Sequence, residues 1–284
     1  MIIVCGATAA GKTEYAATLA KEHGSPLISA DSMQVYRGFN IGTAKETDAD
    51  LGVKQYGIDI LDGNDRFTVV DYKLYATNVI SELESKGIEP MVCGGTGFYI
   101  SSLLYEQNFG AEPGGLEEEI QTAVDADSSI LVKYFEKLKQ LDPEYAAKLH
   151  VNDTRKIIKA YCFCENFGKK YSEQNEEKVL LRDAKIIILR RDRAELYERI
   201  NKRVDIMREK GLKDEVENLL RSGVRGDSQA MRGIGYKEWL PFIDGQCGEE
   251  EVYELIKKNS RNYAKRQETW FNHQYPQAEF KTVS

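Results

Sequence analysis

Four apolar residues, Ile2-Ile3-Val4-Cys5, stand at the start of the chain and give way at once to Gly6-Ala7-Thr8-Ala9-Ala10-Gly11-Lys12-Thr13, after which Ala16, Leu19 and Ala20 recur at helical spacing. An unbroken apolar run of that length predicts a buried strand, the glycines a tight loop, and the spaced residues a helix. The alternation continues. Pro26-Leu27-Ile28-Ser29-Ala30 reads as a second strand ending at Asp31, and Tyr72, Tyr75, Ala76, Val79, Ile80 and Leu83 mark a helix over Asp71 to Lys86 that stops at Gly87. A third strand, Pro90-Met91-Val92-Cys93, runs into Gly94-Gly95-Thr96-Gly97. Strand–helix–strand alternation implies right-handed crossovers, so the pattern predicts an α/β fold, a parallel sheet with helices on both faces.

From about Ala111 to Lys178 the character changes to charged, helix-favouring sequence, with Leu131, Tyr134, Phe135 and Leu138 at helical spacing and Asp142-Pro143 opening another helix. No strand pattern occurs there, so residues 111–178 are expected to form an all-helical insertion into a core made of residues 1–110 and 179–284. Lys185-Ile186-Ile187-Ile188-Leu189 restores a buried strand before a helical C-terminal third.

The first loop carries the chemistry. Its spacing fits a phosphate-binding loop, in which the glycines of Gly6-Ala7-Thr8-Ala9-Ala10-Gly11 let backbone N–H groups converge on an anion, Lys12 reaches its terminal oxygens, and the Thr13 hydroxyl can ligate magnesium. A plain glycine turn would leave Lys12 unexplained. The sheet is therefore expected to be of the P-loop type, with ligands collecting at the carboxyl ends of its strands.

Kinase, nucleotide hydrolase and diphosphate-processing transferase all remain open at this point. A nucleotide hydrolase usually ends a strand in a carboxylate that holds magnesium, yet the two later strands end in Gly94-Gly95 and Arg190-Arg191. Asp31 is the carboxylate that does end a strand. It can accept a proton from a nucleophile, ligate magnesium or cap a helix. Thr96 can orient a phosphate oxygen or cap the next helix. Arg203 falls at the edge of the apolar stripe Leu196, Ile200, Val204 and Met207, where it needs either a carboxylate or an anion such as a diphosphate.

Composition narrows the partners. The 284 residues are 42% hydrophobic, enough for a sizeable core, and the formal charge of −7 argues against non-specific nucleic-acid binding. The charge is uneven, however: residues 181–284 carry +3 and residues 1–180 carry −10. Basic residues gather at Arg190, Arg191 and Arg193, at Arg199, Lys202 and Arg203, and at Lys257, Lys258, Arg261, Lys265 and Arg266. Five cysteines without C-x-x-C spacing suggest neither zinc nor disulfides. No signal-peptide pattern or bilayer-length apolar segment occurs, so a cytoplasmic protein with no membrane partner, acting as a monomer, is expected.

Taken together, these motifs resemble those of the tRNA dimethylallyltransferases. The markers are Gly6 to Thr13, Asp31-Ser32-Met33-Gln34-Val35-Tyr36, Gly42-Thr43-Ala44-Lys45, Gly94-Gly95-Thr96-Gly97-Phe98-Tyr99, His150-Val151-Asn152-Asp153, Arg203-Val204-Asp205, Gly235-Tyr236-Lys237-Glu238 and Tyr263-Ala264-Lys265-Arg266-Gln267. The resemblance implies transfer of a dimethylallyl group from dimethylallyl diphosphate to N6 of the adenine at position 37 of tRNA, beside the anticodon, giving N6-isopentenyladenosine. It implies that the loop holds the prenyl diphosphate in place of ATP, and that Asp31 draws on the exocyclic amine. Lys12, Thr13, Thr96, Arg203 and Mg2+ would then serve the departing diphosphate. It further implies tRNA contacts at Asp31, Ser32, Met33, Gln34 and Thr96, and at Arg155, Lys156, Ile157, Ile158 and Lys159 of the insertion. Where relatives commonly carry a Pro, Glu46 stands here, and Asn272 replaces a usual basic residue. Prenylation of free adenine nucleotides and a small-molecule kinase are the rival expectations, with a non-catalytic RNA-binding module behind them.

Overall fold

In the computed structural model, which describes residues 1–106, 115–173 and 179–283, the first apolar run forms β1 (Ile2–Gly6). All five residues are buried because cores lie on both sides of it: Ile3 and Cys5 enter one, Ile2 and Val4 the other. The glycine loop leads into α1 (Lys12–His23), which ends at Gly24 in a left-handed cap with φ 62°. β2 (Leu27–Ser29), α2 (Asp48–Leu51), β3 (Gln55–Tyr56), α3 (Val69–Ser85), β4 (Met91–Gly94) and α4 (Gly97–Leu104) follow. The third helix starts two residues ahead of the periodic pattern. Thr68 accepts from the Asp71 amide and the Asp71 carboxylate accepts from the Thr68 amide, a capping box that fixes the first turn.

Then come α5 (Gly115–Ala126), α6 (Ile130–Leu141), α7 (Pro143–Ala146) and α8 (Thr154–Phe167). They close around a separate cluster that includes Ile120, Phe135, Leu138, Ile157 and Ile158. The chain divides into two compact units, Met1–Tyr105 with Leu180–Ser284, and Glu106–Val179. The boundaries expected at 110/111 and 178/179 touch stretches 107–114 and 174–178, which lie outside the described residues. Within the helical unit the fully buried Asp142 accepts hydrogen bonds from the amides of Tyr145 and Ser172 and from the Ser172 hydroxyl, at 3.0, 2.6 and 2.7 Å. Burial pushes its carboxyl up, but these donors outweigh it and the net shift is below the usual range.

The chain re-enters the first unit as β5 (Lys185–Arg190), α9 (Arg193–Glu209), α10 (Leu212–Arg221), α11 (Leu240–Ile243), α12 (Glu249–Gln274) and β6 (Glu279–Thr282). The sheet is parallel throughout, in the order β3-β2-β4-β1-β5-β6. Central β1 pairs Ile2 with Met91 on one side and with Lys185 on the other. The two edge strands escape the apolar pattern. β3 has two residues, and in β6 only Phe280 offers a large apolar side chain, which Arg190 covers at 3.6 Å from the ring centre. No helix among the described residues is long and apolar enough to cross a membrane.

Candidate active site

The phosphate loop connects β1 to α1, so its geometry follows from where those two elements end. Gly6 is obligatory: at φ 141° a Cβ would meet the Leu189 carbonyl oxygen at 2.6 Å. Ala9 adopts φ 63° and Gly11 φ 92°, which turns the loop onto the helix N-terminus. That end leaves its first-turn N–H groups for an anion. The Lys12 ammonium donates to the Ala7 carbonyl at 2.7 Å, folding back over its own loop. Burial holds it below the usual lysine range, with the Arg203 guanidinium adding to the effect. A bound polyanion would reverse that shift by favouring the charged form.

Side chains from the C-terminal part of the chain grip the outside of this loop. Arg199 donates to the Ala9 carbonyl at 3.1 Å, Arg191 to the Ala10 carbonyl at 3.3 Å, and Arg203 to the Thr8 hydroxyl at 3.1 Å. Gln267 of α12 accepts from the Thr8 amide at 2.8 Å and donates to the Gly95 carbonyl at 2.9 Å.

Arg203 is a half-buried cation without a carboxylate partner. Its second nitrogen donates to the Thr43 carbonyl at 3.1 Å, and no ion pair to it occurs among the described residues. Burial lowers its affinity for the proton, offset by the fields of Asp31 and Glu46. An anion in front of it would satisfy the charge.

Asp31 follows β2 by two positions, and its Oδ1 accepts from the amides of Met33 and Gln34 at 2.8 and 3.3 Å. The Gly94-Gly95-Thr96-Gly97 loop lies directly against this turn. A Cβ on Gly94 would stand 2.2 Å from the Ala30 carbonyl oxygen, and the Thr96 amide donates to that same oxygen at 3.0 Å. Thr96 precedes α4 without capping it. Its hydroxyl instead accepts from the Ser32 amide at 3.0 Å, so Thr96 shapes the Asp31 turn. The neighbouring loop is held by Glu215, whose carboxylate accepts from the amides of Asn40, Ile41 and Gly42 and from the Tyr236 hydroxyl. Lys45 turns inward to pair with Asp59 at 2.5 Å, away from ligand work.

Two cavities meet at this cluster. The smaller, about 90 Å³, lies beside the phosphate loop and is lined by Lys12, Thr13, Gln34 and Cys93 among others. The larger, about 410 Å³, has apolar walls from Ile200, Val204, Met207, Ile234 and Ile256, and Arg232, Lys237 and Arg266 also line it. Thr8, Asp31, Thr43, Arg203 and Tyr263 line both, so carboxylate and guanidinium stand where the two spaces join. Burial pushes the Tyr263 phenol up to about 12, against hydrogen bonding to Thr96 and Gln267.

The structure thus brings together the phosphate loop, Asp31 to Gln34, Thr96 and Arg203. Arg155, Lys156 and Lys159 are on α8 of the other unit, with Arg155 and Lys159 exposed and Lys156 3.8 Å from Asp153. Ile157 and Ile158, grouped with them on the sequence, are 0% and 1% exposed, so their side chains belong to the helical core. Within the basic clusters, Lys257 pairs with Asp205 and Glu254 at 2.9 and 3.0 Å, and Arg261 donates to Asn201. Lys258, Lys265 and Arg266 are the exposed cations of α12. Sequence reasoning assigned no role to Gln267, Tyr263, Glu215, Arg191 or Arg199, although Tyr263 to Gln267 is among the motifs of the resemblance and both arginines are in basic clusters. For Gln267 a signal existed: it interrupts the buried stripe Ile256, Ala264 and Phe271 of α12 as Arg203 interrupts that of α9.

A parallel sheet with this loop, an acid just beyond the next strand and a half-buried arginine opposite defines an α/β architecture of the P-loop type. Comparison with known proteins narrows the class. The IPP transferase family model matches residues 34–274, and the isopentenyl transferase model matches residues 1–60. The tRNA dimethylallyltransferase of Bacillus subtilis is 43% identical over 276 residues, 95% of this chain and 87% of that protein. The structure of the tRNA isopentenylpyrophosphate transferase of Bacillus halodurans is 36% identical with a TM-score of 0.73, covering 99% of this chain and 89% of the other. A eukaryotic dimethylallyltransferase described as acting on tRNA aligns at 26% identity and a TM-score of 0.84, over 100% and 73%. The chain belongs to the IPP transferase family, that of the tRNA dimethylallyltransferases.

Proposed function

We propose that this protein transfers a dimethylallyl group from dimethylallyl diphosphate to N6 of the adenine beside the anticodon of tRNA. The observation that carries the reading is the junction of the two cavities, where Asp31 and Arg203 face a common space next to the phosphate loop. The smaller cavity and the loop amides take the diphosphate, and the larger cavity takes the prenyl chain and an adenine extruded from its stack. The adenine amino lone pair is delocalised into the ring. A carboxylate that takes the N6 proton restores that pair as the new C–N bond forms at C1 of the prenyl group. The C–O bond breaks in the same event and the diphosphate leaves with its electrons. Lys12, the Thr13 hydroxyl, Arg203 and the loop amides stabilise the charge that grows on it.

Magnesium fits this site as a substrate-held ion. Among the described residues there is no group of three His, Cys, Asp or Glu side chains able to hold a metal alone. The Thr13 hydroxyl beside a diphosphate suits a cation that keeps waters and binds mostly through phosphate oxygens. Bound there, it would neutralise part of the diphosphate charge. On the tRNA side, Ser32, Met33 and Gln34 contact the anticodon loop, Thr96 holds their turn, and Arg155, Lys156 and Lys159 meet backbone phosphates. We take the monomer as the working unit.

The test is incubation with unmodified tRNA, magnesium and labelled dimethylallyl diphosphate, followed by digestion to nucleosides. Label in N6-isopentenyladenosine is the expected result. Label appearing in AMP in preference to tRNA, or no transfer with phosphorylation of a small molecule instead, would overturn it.

A further inference from the structure

We infer that Gln267 is a positioning residue for the transfer, its single amide clamping the phosphate loop to the loop that shapes the acceptor side. The inference rests on the proposed prenyl transfer and names a device within it. The amide oxygen takes the Thr8 N–H at 2.8 Å and the amide nitrogen gives to the Gly95 carbonyl at 2.9 Å, so one planar group spans two loops 87 positions apart in the chain. Gln267 is 6% exposed and lines the cavity beside Lys12 and Thr13. A buried amide that makes both bonds is fully oriented, because exchanging its oxygen and nitrogen would set donor against donor and acceptor against acceptor.

The fit is close on the far side as well. A Cβ on Gly95 would lie 2.4 Å from the Gln267 side-chain nitrogen, so the glycine leaves room for this amide and little else. Gly95 adjoins Thr96, which accepts from Ser32 in the Asp31 turn. Thr8 is also held through its hydroxyl by Arg203. The clamp therefore connects the element that binds the leaving group to the element that orients the base, and it does so from α12, the helix that also supplies Tyr263 and Arg266 to the larger cavity. A displacement of one loop against the other would misalign amine, C1 and diphosphate together.

Two variants separate positioning from general stability. Gln267→Met fills the same space without either bond. It should keep the native near-ultraviolet circular dichroism and the affinity for tRNA with a modestly lowered melting temperature, weaken binding of inorganic diphosphate with magnesium roughly tenfold, the worth of one to two net hydrogen bonds, and lower kcat by at least as much. Gln267→Glu carries the more particular signature. Ionised, it still accepts from Thr8 but opposes the Gly95 carbonyl and adds charge beside the diphosphate. Protonated, it accepts and donates as glutamine does. The ratio of variant to wild-type diphosphate affinity should therefore climb between about pH 8 and about pH 5, whereas Gln267→Met should show no such climb.

Wild-type protein that transfers the prenyl group while both variants match it in diphosphate affinity and kcat would overturn the clamp. So would a pH-independent Gln267→Glu ratio, or loss of the near-ultraviolet circular dichroism in both variants, which would make Gln267 a folding residue. Wild-type protein that transfers nothing would instead refute the proposed function itself.

Discussion

One oxygen of Asp31 is committed to the amides of Met33 and Gln34, and the other has no protein partner among the described residues, so the carboxylate is oriented yet able to act. Asp31→Asn keeps the amide acceptor and loses the base. Diphosphate affinity should hold while turnover falls roughly 10²-fold or more, measured by single-turnover transfer to tRNA. Undiminished turnover would remove Asp31 from the chemistry. Arg203→Leu asks the complementary question. A half-buried guanidinium with no carboxylate partner contributes little to stability, so the variant should fold with little change in melting temperature and lose diphosphate affinity. Unfolding, with normal activity in the remaining folded fraction, would make the arginine structural. Both side chains were legible in the sequence, one as a polar residue ending an apolar run and the other as a charge on an apolar stripe. The arginines behind the loop were not, since a side chain that donates to a carbonyl of a distant turn leaves no local trace.

Elements with an unbroken apolar run or a full helical stripe could be read directly, as β1 and α9 show, because burial on a fixed face dictates their composition. The edges could not. β6 exists through its hydrogen bonds to β5 and the cover of Arg190 over Phe280, both supplied by residues some 90 positions away. In the helical unit, Asp142 ties α7 to Ser172 in a similar non-local way. Its lowered pKa has a definite sign in stability. The ionised form is favoured by folding, so the contribution is present above the unfolded value near 4 and is lost as pH falls through the lower folded value. Asp142→Asn should cost about 1–3 kcal/mol at neutral pH, with the gap to wild type narrowing below about pH 4, read from denaturant unfolding at a series of pH values. A gap that stays constant into acid would mean that the charge on Asp142 plays no part.

For the whole molecule the formal charge of −7 hides a basic C-terminal part, and only some of its cations are available. Lys257 and Arg261 are occupied within the protein, so the exposed Lys258 and Lys265 are the ones to change. Replacing both with Gln should reduce the slope of log affinity for tRNA against log salt by roughly 1 to 2 and leave dimethylallyl diphosphate binding as it was. An unchanged slope would show that this face of α12 does not meet the polyanion. The grip on the phosphate loop has one more consequence, for synthesis on the ribosome. Residues 6–13 emerge long before the side chains that hold them, at 191, 199, 203 and 267, and β1 gains its second neighbour only at Lys185. Such long-range closure gives the nascent chain no finished loop geometry until α12 has left the exit tunnel, so on the proposed function diphosphate binding waits for the C-terminal helices.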